Sequence, residues 1–154
     1  ARTAFIHTSN TARDLLYKEN EELIKSVMWV STLDTRTCPE CGLLDTQVYD
    51  PGEGQRPPAH HQCRCTTTPI LKSLKELGIE QKGLSQSTRA SMTGQVPESL
   101  SYPEWLRNQT AAIQNEVLGP KKAAMWRRGD VEFRDFTGSG SQILTIQQLE
   151  SLAD

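Results

Sequence analysis

The chain is short of the residues that build a large core. It is 36% hydrophobic and 6% aromatic over 154 residues. That scarcity argues against one big apolar interior and for a small core stapled by something else. No apolar run approaches the length of a membrane-spanning helix, and no stretch reads as a signal peptide. The first residue is Ala1 rather than Met, which points to a fragment or a processed product. Charge of either sign is not in excess: 17 Lys and Arg against 19 Asp and Glu give a net charge of -2. No general attraction to nucleic acid or to an anionic membrane follows from that balance. Internal repeats and low-complexity tracts are absent. Four cysteines are too sparse for a secreted disulfide scaffold of this length.

What is there is concentrated. All four cysteines and two of the three histidines fall in Cys38-Pro-Glu-Cys41 and His60-His61-Gln-Cys63-Arg-Cys65. A Cys-x-x-Cys knuckle presents two sulfurs to one tetrahedral ion, and the second cluster offers more ligands than the two open seats need. Thiolate with imidazole suits zinc. Two alternatives remain, a disulfide pair and a redox Cys-x-x-Cys. A redox motif should sit between a strand and a helix in a βαβ pattern; here Gly42 follows the knuckle and no such alternation surrounds it. Five groups, Cys38, Cys41, His60, Cys63 and Cys65, compete for four seats. The spacing favours Cys38, Cys41, His60 and Cys63, with Cys65 the leading substitute and His61 a distant one. Four or more protein ligands make the expected zinc structural and closed rather than catalytic.

Local patterns supply the frame. Residues 2 to about 25 read as a helix with Ala12, Leu16, Leu23 and Ile24 on its core face, Leu15 beside them, and a break near Asn20. Residues 27–32 are the best strand, being β-branched and aromatic. Asp34 is placed to accept backbone N–H bonds in the turn to the knuckle and to pair with Arg36. Leu43 and Leu44 read as core, Gln47-Val-Tyr as a short strand, and Cys65 to Thr68 as a strand leaving the site. Thr68-Pro69 reads as a helix start, continued by Ile70, Leu71, Leu74 and Leu77 to a stop at Gly78. Arg64 is expected to face Asp34 or Asp45.

Three stretches carry a family resemblance: Ala1-Arg-Thr, Trp29 through Asp34-Thr-Arg-Thr-Cys38-Pro-Glu-Cys41 to Asp45, and Pro57-Pro-Ala-His60-His-Gln-Cys63-Arg-Cys65. In that order and spacing they resemble the phage Mu F-like family of head-morphogenesis, or minor head, proteins. The likeness covers about residues 1 to 70. Tyr102-Pro-Glu-Trp-Leu and Val117-Leu-Gly-Pro-Lys also resemble what often follows the domain. Three positions depart from the family pattern. Members often carry an acidic residue at Ala4, a glycine at Thr46 and a proline at His61. The resemblance implies a low-copy structural component of a phage or prophage head, acting in capsid assembly. Its partners would be portal or major capsid proteins, with packaged DNA at low affinity and no membrane. Its place would be the virion, after assembly in the bacterial host cytoplasm.

Residues 79–100 read as a polar linker, crowded with turn formers such as Gly83, Ser85, Gln86, Gly94 and Pro97. Beyond it the pattern is helical. Ser101 and Glu104 form a capping box, as do Thr145 and Gln148, and Gly119-Pro120 separates two helices. Trp105 and Trp126, placed on short helices past the linker, are expected to anchor a partner or a second copy. Lys121, Lys122, Arg127, Arg128 and Arg134 make a basic cluster set against Glu116, Asp130, Glu132 and Asp135. The expected whole is a small zinc-stabilised α+β domain over 1–78, with an N-terminal helix and short antiparallel strands. A linker over 79–100 and a short helical tail over 101–154 complete it. No catalytic residue is assigned, and the chain is not expected to be an enzyme. No second histidine–acid pair and no phosphate-cradling glycine loop is visible. The runner-up readings are a toxin-type enzyme, a nuclease or nucleotide-transferring one, and a nucleic-acid-binding zinc module using residues 121–134.

Overall fold

A computed structural model describes residues 1–80, 87–138 and 142–153. The chain is α+β. Helix α1 (Arg2–Lys18) leads to strand β1 (Ile24–Val30), helix α2 (Pro39–Leu44) and the short strand β2 (Val48–Tyr49). Strand β3 (Thr66–Leu71) follows, then a hairpin of β4 (Thr88–Ser91) and β5 (Gly94–Pro97). Helices α3 (Tyr102–Arg107), α4 (Ala111–Leu118), α5 (Pro120–Arg128) and α6 (Ile146–Ala153) complete the chain, with a 3-10 turn at Phe133–Phe136 before α6.

Strand β1 is the centre of an antiparallel sheet in the order β2-β1-β3. Its run of Val, Met, Trp and Val suits a central strand, and residues 26–29 are all buried. Trp29 pairs with Thr67 and Val30 with Thr66, which delivers Cys65 to the end of β1 beside Ser31. Helix α1 lies against β3. Asn10 accepts from the Thr66 hydroxyl at 3.1 Å, the Tyr17 hydroxyl donates to Thr67 O at 3.3 Å, and Arg13 bonds Thr66.

Two expectations for this region are corrected. The core face of α1 is not the apolar one. Asn10 and Tyr17 are buried, while Leu15, Leu16 and Leu23 are 61%, 60% and 45% exposed; only Ile24 of the expected set is buried. The polar bonds to β3 decide which side of α1 docks. Thr68-Pro69 does not start a helix. Both lie in β3, where Thr68 pairs with Met28 and Pro69 with Val27. Proline is tolerated there because β3 is an edge strand. Helical geometry is confined to one turn, closed by Leu77 N–H to Ser73 O and Gly78 N–H to Lys75 O.

Residues 88–97 of the expected linker form a hairpin, turned through Met92-Thr93 with Gly94 at φ +120°. Gly83, Ser85 and Gln86 lie outside the described residues. Val96 and Leu100 pack against the larger of the cores. That core holds Leu33, just beyond β1, together with Tyr102, Trp105, Trp126, Phe133 and Phe136. Trp105 and Trp126 are each 1% exposed, so the expected partner anchors are core residues of this chain. Phe133 meets Phe136 edge-on at 5.7 Å and Trp126 at 5.8 Å. Both capping boxes form as expected. The helix begun at Ser101 stops at Arg107, however, and Thr110 caps α4 afresh by accepting from Ile113 N–H.

Candidate metal centre

The knuckle is built at the start of α2. Cys38 is its N-cap, with Pro39 at the first helical position, and the Cys41 N–H points at Cys38 Sγ. Gly42 follows because no side chain fits there. A Cβ on it would lie 2.6 Å from Tyr102 Cδ1 and 3.1 Å from Phe133. The glycine therefore lets α2 press against the tail.

The five expected groups converge. Cys38 Sγ lies 3.2 Å and Cys41 Sγ 3.1 Å from His60 Nε2, and Cys41 Sγ lies 3.8 Å from Cys63 Sγ. They form two triads, Cys38–Cys41–His60 and Cys41–Cys63–Cys65, the donor atoms of each within 4.8 Å of one another. Cys41 belongs to both. Two sulfurs each about 2.3 Å from one tetrahedral zinc stand about 3.8 Å apart, which is the Cys41–Cys63 separation. The four cysteines are free thiols. These groups are able to hold a metal ion.

The surroundings tune the donors. His60 Nδ1 lies 2.8 Å from His61 O. A ring N–H donated there leaves the Nε2 lone pair facing the sulfurs. His61 is turned away, its Nδ1 3.3 Å from the Thr3 hydroxyl on α1. Hydrogen bonding with Cys41 pulls the Cys38 thiol down to about 6 and the Cys63 thiol down to about 2. The same contact with Cys38 pushes Cys41 up. Cys65 is lowered by Cys41 but raised by Cys63 and by burial, and ends up at about 12.

A polar shell ties the centre to the rest of the chain. Arg64 forks onto Asp34 with two bonds of 2.6 Å, as one of the expected pairings had it. Asp34 also accepts from Arg36 N–H at 3.0 Å. The Tyr102 hydroxyl lies 3.0 Å from Asp34 O and 3.1 Å from Thr37 O. Beneath the knuckle, Asp45 takes four bonds. Ser31 N–H and Tyr102 N–H donate at 2.7 and 2.8 Å, and the Arg89 guanidinium donates twice at 3.0 Å. Burial pushes the Asp45 carboxyl up, against the pull of Arg89. Nothing in the sequence singled out Arg89 or Ser31, since their partners lie far along the chain or inside the knuckle.

Residues 1–68 match the family described as Phage Mu protein F like protein. This segment is Mu F-like. No curated protein and no solved structure matches the chain. The Mu F-like segment holds every sulfur and imidazole of the cluster and ends at Thr68, inside β3. Arg89 and Tyr102, which brace it, lie beyond. The basic residues of the tail are largely engaged: Arg128 with Asp130 at 2.5 Å, Arg134 with Glu132 at 2.6 Å, Arg127 with Asn115 at 3.0 Å and Lys122 with Leu144 O at 2.5 Å. No helix among the described residues is long and apolar enough to cross a membrane.

Proposed function

We propose that the chain is a structural minor head protein of a phage or prophage. In this reading it acts in capsid assembly through protein contacts, and a structural zinc holds its Mu F-like segment. The observation that carries the reading is the Mu F-like match over residues 1–68. The geometry supports it in two ways. The cysteine sulfurs of the cluster are packed with Trp29 as a small core, as a centre that holds a fold would be. Phe5, Ala12 and Leu16 fall on one line of α1, with Leu15 beside it, and that face is open. Phe5 is 71% exposed. An exposed apolar row on a helix that is otherwise polar is a surface that a protein contact would use. The portal or the major capsid protein is the partner proposed for it.

The test is incorporation into heads. The chain is produced together with the head proteins of a phage that encodes it, and heads are purified and assayed for it by mass spectrometry. Incorporation is expected for the natural chain. A Phe5→Glu, Leu16→Glu variant should melt as the natural chain does yet be depleted from heads. Absence of the natural chain from purified heads refutes the reading.

A further inference from the structure

Helix α1 is tied to one segment of the chain. Among the described residues, every hydrogen bond and ion pair that an α1 side chain makes outside its own helix ends on residues 56–67. Thr3 Oγ1 accepts from Gln62 N–H at 3.0 Å and lies 3.3 Å from His61 Nδ1. Asn10 donates to Cys65 O at 3.5 Å and accepts from the Thr66 hydroxyl at 3.1 Å; Arg13 bonds the same hydroxyl. Asp14 pairs with Arg56 at 2.7 Å, and the Tyr17 hydroxyl donates to Thr67 O at 3.3 Å. Apolar packing adds little. The buried residues of the helix are Asn10 and Tyr17. Tyr17 meets Ile24 and Val27 near the C-terminal end, while Phe5, Leu15 and Leu16 are exposed.

The same segment carries His60, Cys63 and Cys65 of the donor cluster. Residues 50–65 contain no helix or strand, so no ladder of backbone bonds fixes their path. The cluster joins them to the knuckle, with His60 Nε2 3.2 Å from Cys38 Sγ and 3.1 Å from Cys41 Sγ. Ala59 packs on the core of sulfurs and Trp29, and Arg64 ties the end of the segment to Asp34. We infer that filling of the metal centre and docking of α1 on residues 56–67 are one coupled equilibrium, so that the ion controls presentation of the open row of Phe5, Ala12 and Leu16. The inference rests on the metal centre proposed above and holds whichever of the five groups are its ligands. Donors that share one ion hold their segment to one path. Without it the anchors of Thr3, Asn10 and Asp14 are free to shift, and little apolar contact replaces them. Residues 19–23 form a turn, and Tyr17 beside it is the pivot on which the rest of α1 swings out. A helix of this length without tertiary packing is marginal in water. Such coupling is reciprocal: what favours docked α1 favours the bound ion by the same factor.

Two measurements on the full chain test it, with zinc as the probe. Hydrogen exchange read by mass spectrometry compares the zinc-loaded and zinc-free natural chain. Amides of residues 6–14 should exchange at least about tenfold faster without zinc, while those of α4 and α5 keep their rates. Competition with a chelator then gives zinc affinity for a Thr3→Ala, Asp14→Ala variant. Neither residue is a donor, and alanine favours the helix itself, so a loss of affinity reports lost docking. A fall of about fivefold or more is expected. Leu15→Ala on the open face and Arg127→Ala in the tail should keep the natural affinity. If zinc removal unfolds the whole chain, exchange rises everywhere and the affinities decide alone. A double variant that binds zinc no more weakly than these two controls overturns the coupling and leaves the metal centre standing. So does α1 exchange that zinc leaves unchanged. A natural chain that takes up no zinc overturns the metal centre and the coupling together.

Discussion

Replacing Arg89 with alanine should be among the most damaging single changes in the chain, although Arg89 lies 44 residues from its partner and in a stretch of polar composition. The Asp45 side chain is completely buried and Arg89 is 9% exposed. The guanidinium supplies two of the four bonds that Asp45 accepts, and it also bonds Ser31 O. Removing it leaves a carboxylate in the interior with two backbone N–H partners and no counter-charge. Breaking a buried pair from one side costs about 3–5 kcal/mol. For a chain of this size that is a melting temperature lower by about 6–20 °C. Urea unfolding followed by tryptophan fluorescence measures it, with zinc held in constant excess so that metal linkage does not vary. An Asp45→Asn, Arg89→Met double variant removes both charges and should recover part of the loss, because the penalty lies in the orphaned charge. A loss below about 1 kcal/mol for Arg89→Ala, the range of an exposed pair, would refute the burial argument and the role of the hairpin as a brace.

Gly42→Ala should destabilise by about 1–3 kcal/mol through overpacking, since its Cβ would meet Tyr102 and Phe133 inside contact distance; thermal melting reads it. Thr46 holds φ +65°, a region that costs a β-branched residue about 1–2 kcal/mol, so Thr46→Gly should raise stability by up to about 1 kcal/mol in the same assay. The Arg64 hydrogen bonds hold the Asp34 carboxyl below its ordinary 3.8. That contribution is therefore full above pH 3.8 and lost as pH falls through the lowered value, and acid titration of Asp34→Asn should lack this component. Chelation of bound zinc should unfold the knuckle and lower the melting temperature, with the shift reversed by added zinc. Unchanged melting after complete metal removal would show that the ion does not hold the fold.

The parts of the molecule set by short-range chemistry were legible in the sequence. The knuckle, β1, the capping boxes and the Asp34 turn each declare themselves within about ten residues. The cluster membership was legible too, because sulfur and imidazole have few other reasons to gather. What misled was periodicity without a partner. Leu15, Leu16 and Leu23 have core spacing, yet α1 docks through Asn10 and Tyr17. A pattern states that a face is apolar and not that the same chain covers it. Pro69 misled because proline fits both a first helical turn and an edge strand. Edge position depends on sheet order, which local sequence does not carry. The hairpin had a faint signal in Thr93-Gly94, but its reason for existing is Asp45, which no local window contains.

The boundary of the family match and the boundary of the physical unit differ, and the difference bears on how the chain would work. The Mu F-like segment ends at Thr68. Asp45, inside it, takes one of its four bonds from the segment, from Ser31 N–H, and three from beyond it, two from the hairpin's Arg89 and one from Tyr102 N–H of α3. Gly42 is bare so that Tyr102 and Phe133 can close over α2. On the proposed reading, an ion would pin the knuckle from the side of His60. The hairpin and the tail pin it as well, through the buried Arg89–Asp45 pair and the packing of Tyr102 and Phe133. A knuckle held from two sides keeps its shape when one side is strained. On the proposed reading, that fixes the sheet against which α1 lies and leaves the open row of Phe5, Ala12 and Leu16 rigidly presented. Rigid presentation lowers the ordering cost of docking, which is what an assembly protein with a small apolar contact requires.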